Sequence, residues 1–357
     1  MDIIDVVREG VEVGASDILI SAESPVTYQV YGNLVSSRNT APLTPENTRS
    51  LIYQFLTMEQ RKEIEEQKEL DMGYMVQGLA RFRVSCYYQK GTLGATLRVV
   101  PLRIPQPDEI GLPMSVVLRI SNFPNGLVLF TGPTGAGKST SIASVIEYMN
   151  TAGARAKHVV TVEDPIEFVF KPKLCVIDQR EIGSDTLSYV RGLRTALRSM
   201  PHIIFVGEMR DRDTIEIALR AAETGNLVIS TMATQSAAKT INRVVDIFPV
   251  EHQAEIRTRL ALSLRAVVSQ VLLRRIDTPG RVAAREVMFV TNSISNLIRE
   301  GKIHQVPNAI GTQSAEGMVL LDDSLLGLVQ SGIIDGPTAL IYANDSEKIR
   351  PAVQRRK

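Results

Sequence analysis

The sequence predicts an α/β protein in two parts, a mixed α+β N-terminal region followed by a larger domain built on a mostly parallel sheet. Three observations carry that expectation. In the second part, "GLVLFTG", "HVVTVED", "HIIFVGEM" and "NLVISTM" are separated by stretches of helix-forming residues. Each is a nearly continuous apolar run, as strands covered on both faces require, and strand–helix alternation implies right-handed crossovers. Between the halves, Pro101, Pro105, Pro107 and Pro113 space a short segment of linker composition. The first hundred residues mix short strands with capped helices and do not alternate. Domains are therefore expected at 1–104 and 118–357, joined by a linker at 105–117, with 236–357 mainly helical.

Local signals justify the elements in turn. Ile3, Ile4, Val7 and Val11 have helical spacing, and Gly14 follows as a residue suited to end that helix. "DILIS" and "VTYQVYGNLVS" read as strands, the second broken by a turn at Gly32–Asn33. Thr44-Pro45 opens a helix with proline at its first position. Thr57 and Gln60 have capping-box spacing for the next helix, whose charges from Glu59 to Glu69 read as a solvated face. "LARFRVSCYYQ" and "LGATLRVV" read as two more strands. Beyond the linker, helices are expected from residue 137, over 185–199 and over 212–224.

Composition narrows the function classes. The 357 residues carry forty basic and thirty-nine acidic side chains, a net charge of +1 that leaves no footprint for bulk nucleic-acid binding. Trp is absent, and aromatics make up 5% of the chain, too few for a base-stacking platform. No nucleic-acid partner is expected, and a DNA translocase is a remote alternative. Cys86 and Cys175 are the only cysteines, which fits a reducing compartment. The N-terminus resembles no targeting peptide, and no apolar run approaches a bilayer span. A cytoplasmic protein, peripheral to a membrane at most, is expected.

The chemistry concentrates in the second domain. "GPTGAGKS", Gly132 to Ser139, fits the phosphate-loop pattern G-x-x-x-x-G-K-[ST] between a strand and a helix. Gly132, Gly135 and Gly137 allow the backbone to wrap phosphates closely, with Pro133, Thr134, Ala136 and the following Thr140 completing the loop. Lys138 neutralises β- and γ-phosphate charge, and the Ser139 hydroxyl suits Mg²⁺. The expected ligands are thus ATP and Mg²⁺. "VTVEDPIEFVF" ends an apolar strand with Glu163 and Asp164, where open α/β sheets carry their ligand chemistry. A carboxylate there can orient or deprotonate an attacking water. "IIFVGEMRD" ends another strand with Glu208, suited to hold Mg²⁺ through water.

Together "GPTGAGKST", "VEDPIEF", "VGEMRD" and "AAETGN" resemble, in order and spacing, the PilT family of type IV pilus retraction motors, within the type II/IV secretion hexameric ATPases. "GLARFRVS" and "NLIREGKIHQ" extend the resemblance over essentially the whole chain. It implies a PAS-like N-terminal domain and a RecA-like ATPase domain, assembled as a homohexamer at the inner membrane beneath a pilus platform protein. It marks Glu163 as the catalytic carboxylate, Glu208 as its Walker B partner, and Arg83 and Arg98 as arginine fingers. Without the family, both arginines read as ordinary strand-surface residues. Assembly motors of the superfamily carry a further N-terminal domain and a tetracysteine zinc motif, so retraction fits this chain better.

One stretch departs from the family. Its histidine box reads Gly-His-Leu, three variable residues, then Thr-Leu-His-Thr, whereas this chain has Gly225-Asn226-Leu227 and Thr231-Met232-Ala233-Thr234. Asn226 retains hydrogen bonding but cannot become a cation, and Ala233 retains neither function. "NLVISTMATQ" is expected at the nucleotide, where Thr231 and Thr234 either bond near phosphate or pack in the sheet. Slower or less coupled hydrolysis follows from this reading. So does an alternative role, an accessory paralogue with weak or regulatory ATPase activity beside a second PilT-like motor.

Overall fold

The computed structural model describes residues 1–30, 32–100 and 103–354; Tyr31, of a predicted strand, and Pro101, of the predicted linker, lie outside the described residues. The chain divides into two compact units. One comprises Met1–Arg103 with Asp164–Val169 and Gly183–Asp185, and the other comprises Ile104–Glu163, Phe170–Ile182 and Thr186–Lys357.

The first unit contains α1 (Ile3–Glu12), β1 (Asp17–Ile20), β2 (Thr27–Val30), β3 (Asn33–Ser36), α2 (Pro45–Tyr53), α3 (Met58–Gln67), β4 (Glu69–Val76), β5 (Ala80–Gln89) and β6 (Thr92–Val100). Its six strands form an antiparallel sheet in the order β3-β2-β1-β6-β5-β4. The predicted capping box is present: the Thr57 hydroxyl accepts from the Gln60 N–H while the Gln60 side chain accepts from the Thr57 N–H. β5 alternates, with Phe82, Val84 and Cys86 buried and Arg83 and Ser85 exposed. That pleat puts one face in a core with Ile18, Leu51, Ile52 and Leu97, and fixes the arginines on the other. β4 escapes the sequence reading. It is an edge strand with exposed and half-buried positions interleaved, so its apolar period is weak.

The second unit follows with α4 (Met114–Asn122), β7 (Gly126–Thr131), α5 (Lys138–Ala152), β8 (His158–Glu163), β9 (Val176–Glu181), α6 (Tyr189–Ala196), β10 (Ile203–Val206), α7 (Arg212–Glu223), β11 (Leu227–Met232), α8 (Ala237–Asp246) and α9 (Val250–Ser263). Then come β12 (Leu264–Arg274), β13 (Arg281–Phe289), α10 (Asn292–Arg299), α11 (Val306–Thr312), α12 (Leu321–Gln330), α13 (Gly336–Tyr342) and α14 (Ser346–Gln354). The sheet order is β13-β12-β7-β11-β10-β8-β9, parallel throughout except for the β12–β13 pair. β7, β10 and β11 are buried at every position, as expected from unbroken apolar runs between helices.

Two strands, β12 and β13, interrupt the stretch expected to be mainly helical. "LRAVVSQVLLR" is long and apolar on both faces, so neither its period nor its length separates it from a buried helix. β9 is also unanticipated, because "VIDQRE" is a polar edge strand. The segment leading into it is held by Asn150 on α5, which is fully buried. The Asn150 side chain donates to the Lys171 carbonyl at 2.8 Å and accepts from the Lys173 and Cys175 N–H groups at 3.0 and 3.2 Å.

β13 carries two buried charges on opposite faces. Arg285 donates to the Gly111 and Ile110 carbonyls at 2.7 and 2.8 Å, and burial pushes its pKa down to about 10. Glu286 accepts from the Ala237 N–H, at the first turn of α8, at 2.7 Å. Burial raises its pKa, while hydrogen bonds from the Ala237 and Leu321 backbone oppose the rise.

Candidate nucleotide site

The loop from Gly132 to Gly137 joins β7 to α5. Three of its residues need the left-handed region, with φ of 142° at Gly132, 78° at Gly135 and 83° at Gly137, which explains the glycines. Gly132 has a second reason: a Cβ there would lie 2.2 Å from the Gln270 carbonyl oxygen. Gly137 caps α5 without any side-chain hydrogen bond, so the first turn of α5 is offered to an external anion by its dipole and N–H groups. Ser139 and Thr140 are half-buried on that turn. The Lys138 ammonium lies over the loop, donating to the Gly132 carbonyl at 2.8 Å and the Pro133 carbonyl at 3.0 Å.

The parallel register brings the predicted carboxylates to the same edge of the sheet. Val206 pairs with Val162 on β8 and with Ser230 on β11, and Ser230 pairs with Leu129 on β7. Glu163, the last residue of β8, and Glu208, two residues past β10, therefore stand at the level where β7 enters the phosphate loop. Strands lie about 4.8 Å apart, so β10 and β8 run about 10 and about 14 Å from β7. Glu208, closer to the loop, suits the metal side of a phosphate chain, and Glu163 suits its far end. β10 stops at Val206, but the chain keeps to the sheet beyond it, with the Met209 N–H donating to the Thr231 carbonyl at 3.1 Å.

Glu163 is 5% exposed. Thr161 Oγ1 donates to its Oε1 at 2.6 Å, and Gln179 Nε2 donates to the same oxygen at 3.1 Å. Gln179 comes from β9, the neighbour of β8, and was not legible in the sequence because β9 itself was not. Glu208 accepts from Arg210 Nε at 2.8 Å and Nη2 at 2.7 Å. That arginine is exposed, so the pair orients the carboxylate with little net stabilisation.

The stretch expected at the nucleotide is split between the two ends of the sheet. Asn226 precedes β11, and its carbonyl accepts from the Gly126 N–H at the start of β7. Its side-chain amide donates to the Pro201 carbonyl at 2.6 Å. A six-residue strand rises about 20 Å, so Asn226 belongs to the edge opposite the phosphate loop, contrary to expectation. Ala233 and Thr234 follow Met232, whose carbonyl accepts from the Gly132 N–H, and do reach the loop's edge. The hydroxyls act as packing groups: Ser230 and Thr231 donate to the Val206 and Gly207 carbonyls at 2.7 and 2.6 Å, and Thr234 bonds Thr240 at 2.7 Å.

Arg83 and Arg98 belong to the first unit and are direct cross-strand partners on β5 and β6. Asp17, the β1 partner of Arg98, accepts from its Nε at 2.8 Å. Two like charges directly opposite one another destabilise a sheet, and Asp17 offsets one of them.

Known proteins are similar to this chain along nearly its whole length. The type IV pilus retraction ATPase PilT of Pseudomonas aeruginosa is 46% identical over 339 residues, 95% of this chain and 97% of that protein. The type IV pilus ATPase PilU of the same organism is 34% identical, covering 98% of this chain and 91% of its own length. The crystal structure of the pilus retraction motor PilT with bound ADP superposes with a TM-score of 0.91 at 40% identity, over 98% of this chain and 99% of that one. The family model for the type II/IV secretion system protein matches residues 2–319, and the chain belongs to that family.

Proposed function

We propose that this protein is an ATP-hydrolysing motor that powers type IV pilus retraction, and so twitching motility. One observation carries the reading: a complete phosphate loop shares a sheet edge with Glu163 and Glu208, in a chain collinear with PilT. In this reading residues 1–104 form a PAS-like domain, 105–117 a linker and 118–357 a RecA-like ATPase domain. The chain works as a homohexamer in the cytoplasm, docked at the inner membrane against a pilus platform protein. Among the described residues no helix is long and apolar enough to cross a membrane.

The residues divide the work. The loop N–H groups and the Lys138 ammonium bind the phosphates of ATP. Glu163, held by Thr161 and Gln179, orients water for in-line attack on the γ-phosphorus and accepts its proton. Arg83 and Arg98 supply positive charge to the equatorial oxygens as fingers. Among the described residues no cluster of three or more His, Cys, Asp or Glu forms a metal cage. Mg²⁺ needs none, since it is held through few protein oxygens together with phosphates and waters. The Ser139 hydroxyl and, through water, Glu208 fit that role. When bound, Mg²⁺ neutralises charge on the phosphate oxygens.

The accessory-paralogue reading is favoured by Ala233, which leaves the tip of β11 without a titrating group. Greater identity to PilT than to PilU speaks for a principal motor. Complementation decides: expression in a retraction-deficient strain is expected to restore twitching by itself. Restoration only beside a second PilT-like protein would transfer the chain to the accessory role.

The position of Asn226 revises the expectation for the histidine box. Asn226→His is expected to leave ATP turnover unchanged, because residue 226 is a strand length from the phosphates. Any effect of reinstating both histidines should be reproduced by Ala233→His alone. Steady-state ATPase assays of the two single variants check this, and a rate change confined to Asn226→His would contradict it.

A further inference from the structure

The phosphate loop rests on a residue 134 positions away in sequence. Gln270, on β12, is 2% exposed and lies one residue past Ser269, whose hydroxyl bonds that of Thr131 at 2.6 Å across the β7–β12 ladder. Its backbone carbonyl backs Gly132, and its Nε2 lies 3.3 Å from where a Cβ of Gly137 would stand. Its carboxamide is engaged at both ends: Nε2 donates to the Ala136 carbonyl at 2.6 Å, and Oε1 accepts from Ser141 Oγ at 2.9 Å. The orientation has one solution, since a carbonyl can only accept and must therefore face the NH₂ end. Ser141, on the first turns of α5, then holds the amide against rotation.

The Ala136 carbonyl belongs to the same planar trans peptide as the Gly137 N–H, and the two point in opposite directions. Drawing the carbonyl back towards β12 turns that N–H to the other side of the loop, at the N-terminus of α5. We propose that Gln270 is a positioning residue for the nucleotide: it locks the Ala136–Gly137 peptide so that the Gly137 N–H faces the β-phosphate. A glycine at 137, with φ of 83°, is free to flip its peptide, and Gln270 removes that freedom before ligand arrives. The inference rests on residues 132–139 being the nucleotide site.

The test is calorimetric titration of the full chain with ADP and Mg²⁺. Gln270→Met preserves length and volume but has no donor. It is expected to weaken ADP about tenfold, equivalent to about 1.4 kcal/mol, at unchanged stoichiometry. A purely structural role would instead lower stoichiometry, by unfolding a fraction of the chains, and leave Kd alone; that result overturns the proposal, as does an unaltered Kd. If Gln270→Met fails to fold, Ser141→Ala serves: it leaves Gln270 in place and frees its amide. A loss of about threefold in affinity is expected there, and an unaltered Kd again overturns the proposal. Failure of the unsubstituted chain to bind ADP would instead strike at the nucleotide site itself.

Discussion

Glu163→Gln is expected to leave ATP and ADP affinity essentially intact while kcat falls by about 10²–10⁴, the range of a lost general base. The structure makes this substitution informative. Thr161 and Gln179 both donate to Oε1 of Glu163, and a glutamine can present its amide oxygen at that place. The side chain then keeps its position and volume and loses its negative charge and its ability to take a proton. Near-normal turnover in the variant would remove Glu163 from the chemical step. Parallel loss of binding and turnover would instead assign it to holding the sheet edge. Single-turnover hydrolysis alongside nucleotide titration separates these outcomes.

If Arg83 and Arg98 act as fingers as proposed, alanine at either is expected to cost about 10³ or more in kcat with nucleotide affinity preserved. The sheet supplies a reason beyond resemblance. Arg83 and Arg98 face each other across β5 and β6, with Asp17 set against Arg98, and like charges directly opposite cost stability. Removing Arg83 should therefore leave the thermal midpoint unchanged or slightly raised, whereas removing Arg98 should lower it by stranding the buried Asp17 carboxylate. In a ring, a finger serves the neighbouring subunit's nucleotide through a heterologous contact. Mixing inactive Glu163→Gln subunits with inactive Arg83→Ala subunits should then restore part of the ATPase rate, because some interfaces combine an intact carboxylate with intact arginines. No recovery in exchanged rings would defeat the finger reading.

The reach of the sequence was uneven for physical reasons. "GPTGAGKS" was legible because all its parts are contiguous: the glycine conformations, the lysine and the helix start lie within eight residues. β10 stops at Val206, two residues short of Glu208, whereas the capping box at Thr57 and the end of β8 at Glu163 were legible for the same reason. β4 and β9 were not, since edge strands need little apolar patterning, and β12 was not, since burial on both faces erases the period of two.

By itself, then, the sequence determined the phosphate-loop motif, the acidic residues near the strand ends and the α/β class of the second unit. All three follow from interactions over a few residues, namely turn stereochemistry, capping and the hydrophobic period. Only the tertiary structure decided which of those residues meet. Strand order and register set Glu163 and Glu208 on the edge of the phosphate loop, and sent Asn226 to the opposite edge although it stands seven residues from Ala233. They also placed Gln270 behind Ala136 and Gln179 beside Glu163. Neighbours across a parallel ladder are separated by a whole crossover of chain, and no local pattern records that separation.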